Sequence, residues 1–304
     1  GKCGDRSEPF YRSALRMAGS QGEKQLSGKE VGGLKKKKNP CLLYGAALLL
    51  LWIAAALLVP ELSPYTYTGI NADIRNQGSS CLHLFGTDKF GRDIFVRVWY
   101  AARISLLVGV TGAGINAAFG LLYGSISGYV GGKADFLLMR IADILASIPS
   151  LLYVILITLV MGAGVESIIA GICVAGWVDM ARIVRGEIIR EKGKAYIRAA
   201  QMEGIRPFRI LFVHLLPNVA GPILVNLTFL VPQAVFTEAF LSFLGVGIAP
   251  PSASLGVLIQ EAKSQIQLYP YQMLYPMCIL CLLILALRLF GRGLENVYGE
   301  KTER

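Results

Sequence analysis

Charged side chains are scarce in this chain: 16% of its 304 residues are Asp, Glu, Lys or Arg, against 54% hydrophobic ones. Scarcity on that scale excludes a soluble domain, which cannot bury so much apolar surface, and leaves an integral membrane protein. Histidine is scarcer still, with only His83 and His214. No H-E-x-x-H and no paired ligand spacing occurs, so no metal site is expected. A G-x-x-x-x-G-K-[ST] phosphate loop is missing too, because the nearest stretch, "GYVGGK", has the wrong spacing. The chain is therefore expected to bind no ATP and to need no cofactor of its own. An intramembrane hydrolase needs a nucleophile beside a base, and none is legible. No repeat period or inverted duplication stands out, unlike in many secondary transporters.

Cysteine is present but not in a useful arrangement. Cys278 and Cys281 form a C-x-x-C inside "MCILCLLILAL", where no His, Asp or Glu stands by to complete a site. They read as lipid- or core-facing residues. Only Cys81 falls on the side that the charge pattern makes external, so no internal disulfide framework is expected.

What is abundant is long apolar runs. Residues 1–40 are polar and basic and end in "KKKKNP"; Cys41–Val59 then gives nineteen uncharged residues. At 1.5 Å each these reach about 28 Å, enough to cross a bilayer. A cleaved signal peptide would have a shorter leader and an apolar core of about 7–15 residues, so a retained anchor is expected. Further spans are read at Ile104–Val130, Ile148–Gly164, Val165–Met180, Ala220–Thr237 and Met273–Phe290, with the third and fourth divided at Gly162 and Gly164. The fold class is thus all-α integral membrane, with six transmembrane helices.

The net charge of +10 would point to nucleic acid in a soluble protein. Here its distribution explains it better. The tail before the first span has ten Lys/Arg against four acids, and segment 179–218 has eight against four; segment 60–103 has five against four. Cationic loops stay inside, so both termini are expected in the cytoplasm. The organisation is a cytoplasmic tail (1–40), an anchor (41–59), an extracytoplasmic segment (60–103), a core (104–290) and a cytoplasmic tail (291–304). Gly120, Gly124 and Gly128 place one small residue per turn on the second span, a stripe that lets another helix approach closely.

Segment 194–217 is the one charged, helix-like stretch between two apolar spans. Ala195, Ala199, Ala200 and Met202 favour helix, and Gly204 followed by Pro207 is a stop signal. The glycine is expected in the left-handed conformation. A second short helix should start at Pro207 and end at Pro217. Small residues on a short exposed helix suit insertion into a partner's groove; an interfacial helix on the lipid surface is the other reading.

This stretch resembles the "EAA" loop of ATP-binding-cassette import permeases: Arg198-Ala199-Ala200, then Gly204, then Leu216-Pro217 at the family spacing. It departs from the pattern at Arg198, where the family has Glu, and at His214, where it has Ile. Three further stretches are similar to the dipeptide, oligopeptide and nickel branch of these permeases: "GTDKFGRDIFVRVWYAARISLLVG" (86–109), "MRIADILASIPSLLYVI" (139–155) and "TEAFLSFLGVGIAPPSASLGVLIQEA" (237–262). Their order resembles that of a C-type subunit of a peptide permease. The resemblance implies the type I ABC importer permease fold and a place in the plasma (inner) membrane of a prokaryote. It implies passage of short peptides, with nickel or glutathione as alternatives. It also implies partners: a homologous second permease forming a heterodimer, two ABC ATPase subunits that bind the ATP, and an extracytoplasmic substrate-binding protein. Ala199, Ala200, Gly204, Leu216 and Pro217 would form the coupling loop that docks on the ATPase.

Ionisable and polar residues near the spans are the remaining candidates, because they are costly there. Glu238 either lines the path or caps the "SFLGVG" turn that follows. A self-sufficient secondary transporter would use it as an ion site. Asn116 reads as interhelical glue or as a contact on the path. Arg140 and Asp143, three apart on one helix face, are expected to pair.

Overall fold

A computed structural model describes residues 40–249 and 252–299. The expected cytoplasmic tail 1–40 lies almost wholly outside the described residues. Helices dominate: α1 (Pro40–Leu62), α2 (Ile94–Val130), α3 (Gly132–Ala146), α4 (Ser150–Met161), α5 (Val165–Ala175), α6 (Val178–Lys192), α7 (Ala195–Met202), α8 (Pro207–Phe243), α9 (Leu255–Ala262) and α10 (Tyr271–Gly299). Four of them, α1, α2, α8 and α10, are long and apolar enough to cross a membrane. The pairs α3–α4, bent by 73°, and α5–α6, bent by 40°, bring the number to six if each is one broken span.

The breaks have local causes. Pro149 has no N–H and pushes Ile148 away from helical geometry, so α3 stops at Ala146 and α4 restarts at Ser150. The third span is therefore a broken one that begins with α3, where the sequence placed a single helix from Ile148. Gly176 separates α5 from α6. Between α4 and α5, Gly162 takes φ +90°, and Ser167 Oγ donates to the Gly162 carbonyl at 2.6 Å.

Helix α2 begins ten residues before the apolar run does, because its two early cations are neutralised. Asp93 caps its first turn by accepting from Val96 N–H at 2.9 Å. Arg103 donates to the Ala56 and Leu57 carbonyls of α1 and pairs with Glu61 at 3.1 Å. Arg97 is held in a buried cluster with Asp88, Arg92 and Glu261. Further along, Gly120, Gly124 and Gly128 meet α6: an added Cβ would collide with Met180, with the Ala181 carbonyl and with Ile188. The small-residue stripe thus serves packing within the chain, where van der Waals contact replaces the hydrophobic effect.

Pro217 does not end a helix, contrary to the expectation from sequence. Residues Ile210–Leu215 adopt π geometry, with Leu216 N–H donating to the Leu211 carbonyl, and the helix continues to Phe243. Widening the turn by one residue places the missing proline N–H where the ladder is already changing register, so no helix stop is forced. Cys278 and Cys281 are exposed on α10 with free thiols.

Candidate functional site

Helix α7 is tied to its neighbours along one face only. Ile197 and Ala200 are buried against Ile210, Leu211 and Leu215 of α8 and Ile188 of α6. Buried Glu191, at the end of α6, accepts from Lys194 Nζ at 2.6 Å and from the Tyr196 hydroxyl at 3.0 Å. Burial, with the Glu191 carboxylate alongside, raises the Tyr196 phenol above its ordinary pKa and keeps it a donor. Asn218 Nδ2 donates to the same hydroxyl at 3.0 Å, which closes the base of the loop.

The helix then ends in a Schellman turn. Gly204 N–H donates to the Gln201 carbonyl and Ile205 N–H to the Ala200 carbonyl, both at 3.1 Å, with Gly204 at φ +74°. The far side of the turn is open. Apart from its sequence neighbours, no described residue lies within 4 Å of the position a Gly204 Cβ would take. Ala199, Arg198 and Pro217 are exposed, while Leu216 is half-buried. Two large apolar side chains also project from the turn, Met202 at 90% exposure and Phe208 at 72%. Single exposed apolar residues are ordinary, but these two stand on either side of an open glycine turn among Arg198, Arg206 and Arg209, and Phe208 packs on Phe212 with ring centroids 4.3 Å apart. The sequence reading looked for small residues and missed this pair, although both were legible beside the glycine.

Glu238 sits near the other end of α8 and is fully buried. Ser105 Oγ of α2 and Ser242 Oγ each donate to its carboxyl oxygens at 2.8 Å. The Ile248 N–H is 3.5 Å from Ser242 Oγ, and the Leu255 N–H donates to Ser105 Oγ at 3.3 Å. Through two serines the carboxyl group thus ties α8 to Ile248 and to the first residue of α9.

Asn116, midway along α2, is also buried, and its Oδ1 has no hydrogen-bond partner. It lines a cavity of about 270 Å³ shared with Ser150, Gly176, Asp179, Gln233 and Thr237. Arg140 and Asp143 do not pair with each other. Asp143 accepts from Arg182 of α6 at 2.9 Å, and the Arg140 guanidinium lies over the Phe136 ring, 5.4 Å from its centroid. The three-residue spacing allowed the first pair, but α6 brings a closer guanidinium and Phe136 offers Arg140 a π face.

On the opposite face lies a cluster that the sequence reading did not find. Asp88 accepts from Arg92 Nε at 2.6 Å and Arg97 Nη1 at 2.7 Å, and Glu261 of α9 accepts from the same two arginines at 2.8 and 2.9 Å. All four side chains are at most 19% exposed. The Asp88–Arg92 spacing was visible, but Glu261 lies 164 residues from Arg97.

Residues 120–300 match the family described as binding-protein-dependent transport system inner membrane component. Over 282 residues the chain is 40% identical to the oligopeptide transport system permease protein OppC of Bacillus subtilis, covering 93% of this chain and 92% of that one. It is 40% identical over 290 residues to the dipeptide transport system permease protein DppC of the same organism, covering 95% and 91%. With OppC of Escherichia coli the identity is 38% over 260 residues, 84% of this chain and 86% of the other. Among solved structures, an inward-facing MetNI methionine ABC transporter chain aligns with TM-score 0.53 at 22% identity, over 66% of this chain and 97% of that one. At that identity the likeness concerns the fold.

Proposed function

The chain belongs to the binding-protein-dependent transport system inner membrane component family, and from that premise we propose that it is the permease subunit through which an ATP-driven importer passes dipeptides and oligopeptides. It is a multi-pass transport subunit and carries no reaction of its own. Its proposed partners are a homologous second permease that completes the path as a heterodimer, two ABC ATPase subunits that bind the ATP, and an extracytoplasmic binding protein that delivers the peptide. The single observation that carries the ATPase coupling is the Schellman turn at Gly204, open on its outer side and flanked by exposed Met202 and Phe208. Short helices with apolar anchors dock into grooves, and the anchors supply most of the binding free energy. Ala199, Ala200 and Gly204 would form the close-approach face, with Leu216 and Pro217 at its base.

The purified chain alone is expected to hydrolyse no ATP, since it lacks a phosphate-cradling loop. Robust turnover in a preparation cleared of contaminating ATPases overturns the passive role.

Both termini are proposed to be cytoplasmic, from the Lys/Arg excess in segments 1–40 and 179–218. Three spans separate exposed Cys81 from Lys194, so the two must face opposite sides. A membrane-impermeant thiol reagent should reach native Cys81 from outside, and Cys in Lys194→Cys only from the cytoplasm. Labelling of both from one side contradicts the six-span arrangement.

A further inference from the structure

We propose that the Tyr196 hydroxyl is a positioning group that fastens α7 to both α6 and α8, so that a push on the Gly204 turn reaches the transmembrane helices; this rests on the coupling-loop reading above. The Gly204 turn decides whether the ATPases are held. Tyr196 decides how much transport each ATP drives.

Helix α7 needs such a fastening. It has eight residues, and no side chain caps its first turn. A helix that short is not stable in isolation, so its place is set by what it touches. Its apolar contacts, Ile197 and Ala200 against α6 and α8, supply attraction without direction. Apolar surfaces alone tolerate sliding, whereas hydrogen bonds weaken steeply off-axis and so fix a register.

One chain of hydrogen bonds supplies that register. Asn218 Nδ2 donates to the Tyr196 hydroxyl at 3.0 Å, and the hydroxyl donates to Glu191 Oε2, also at 3.0 Å. The phenol thus gives its proton to α6 and a lone pair to α8. Among the described residues, no other side chain of α7 bonds either helix. Both ends of the chain are themselves held. Glu191 is 4% exposed and accepts from Lys194 Nζ at 2.6 Å, while Lys192 beside it donates to the Tyr129 carbonyl at the end of α2. Asn218 donates as well to the His214 carbonyl at 2.7 Å, inside the π stretch of α8. Helix α8 then runs on to Gln233 and Thr237, and α2 carries Asn116; all three residues lie on one cavity wall. A loop that slips at Tyr196 would spend the push before it reached that wall.

Coupling is an energetic property and not one of adjacency, so a double-mutant cycle tests it. The transporter is assembled with its ATPases and binding protein in proteoliposomes, and uptake of labelled Ala-Ala, or a longer alanine peptide, is measured with ATP hydrolysis in the same vesicles. Tyr196→Phe should keep its ATPases through purification and still hydrolyse ATP. Peptide moved per ATP should fall about three- to tenfold, the factor of one net hydrogen bond. Asn218→Ala, which leaves the hydroxyl bonded to α6 alone, should lower the same ratio, and the double variant should fall no further than Tyr196→Phe. Should the phenylalanine variant fail to insert, Asn218→Ala reads the same ratio. A merely structural role lowers uptake and hydrolysis together, and an unchanged ratio in either single variant overturns the positioning role. Losses that multiply in the double variant overturn it too, as does loss of the ATPases from inserted Tyr196→Phe. If instead Gly204→Val keeps its ATPases, the coupling-loop reading falls, and if the wild-type assembly takes up no peptide, the peptide-permease reading falls.

Discussion

Gly204→Val is expected to leave the chain inserted in the membrane and paired with its sister permease, but stripped of its ATPases and unable to drive peptide uptake. Gly204 holds φ +74° at the residue that reverses the chain after α7. A side chain there costs about 1–2 kcal/mol in backbone strain, and a β-branched one lies at the upper end. Relief comes by opening the Schellman turn, which breaks the 3.1 Å bonds to the Gln201 and Ala200 carbonyls and displaces Met202 at the end of α7. Among the described residues beyond its sequence neighbours, none lies within 4 Å of the added Cβ. Any further loss therefore comes from the partner that must approach this bare turn. Truncating an anchor residue in a desolvated pocket costs on the order of 2–4 kcal/mol, so Met202→Ala with Phe208→Ala should weaken the same association by at least about 30-fold. Arg198→Ala should be mild, as an exposed pairing contributes roughly 0–1 kcal/mol. Co-purification of the ATPases with each variant, alongside uptake in cells, reads all three. Normal ATPase recovery and transport by Gly204→Val would mean that segment 194–217 is an interfacial helix and the coupling lies elsewhere.

Arg97→Ala should be the most destabilising single change on the opposite face. Arg97 is 5% exposed and bridges two carboxylates, Asp88 on the segment that joins α1 to α2 and Glu261 on α9. Removing it leaves both acids facing Arg92 alone, in a setting largely shielded from water. Breaking a buried pair by deleting one partner typically costs 3–5 kcal/mol, and the remaining arginine holds the expectation near about 3 kcal/mol. Arg97→Lys should fall between: Arg97 makes both bonds through Nη1 alone, so an ammonium keeps the charge and donors but on a differently shaped, more flexible stem. Thermal unfolding in detergent should show the alanine variant melting roughly 5–10 °C below wild type. A shift under about 2 °C would show that the cluster does not clamp the α1–α2 segment to α9.

Much of the molecule was legible without its structure because the relevant physics is short-ranged. Whether a run such as Cys41–Val59 can cross a bilayer depends on its own side chains. Likewise the turn at Gly204 follows from a helix-forming run meeting a glycine and then a proline, and the structure has that turn at φ +74°. Local rules were overridden where neighbours intervened. Pro217 failed as a stop because π geometry absorbed its missing N–H. The first two turns of α2 were missed because Arg97 and Arg103 look too charged for a helix continuous with a span until their partners are seen.

The sequence by itself determined that this is an all-helical membrane protein, where its charged loop lies and which glycine turns it, since hydropathy, charge asymmetry and helix stops act over a few residues. Only the tertiary structure decided which charges meet and where a cavity opens. Asp143 chose Arg182, 39 residues away, over Arg140 at three, and Arg97 found Glu261. Asn116 of α2 came to lie beside Gly176 and Gln233 at one cavity wall. Pairing and enclosure depend on which helix faces pack together, and that is fixed by distances through space that no local spacing along the chain encodes.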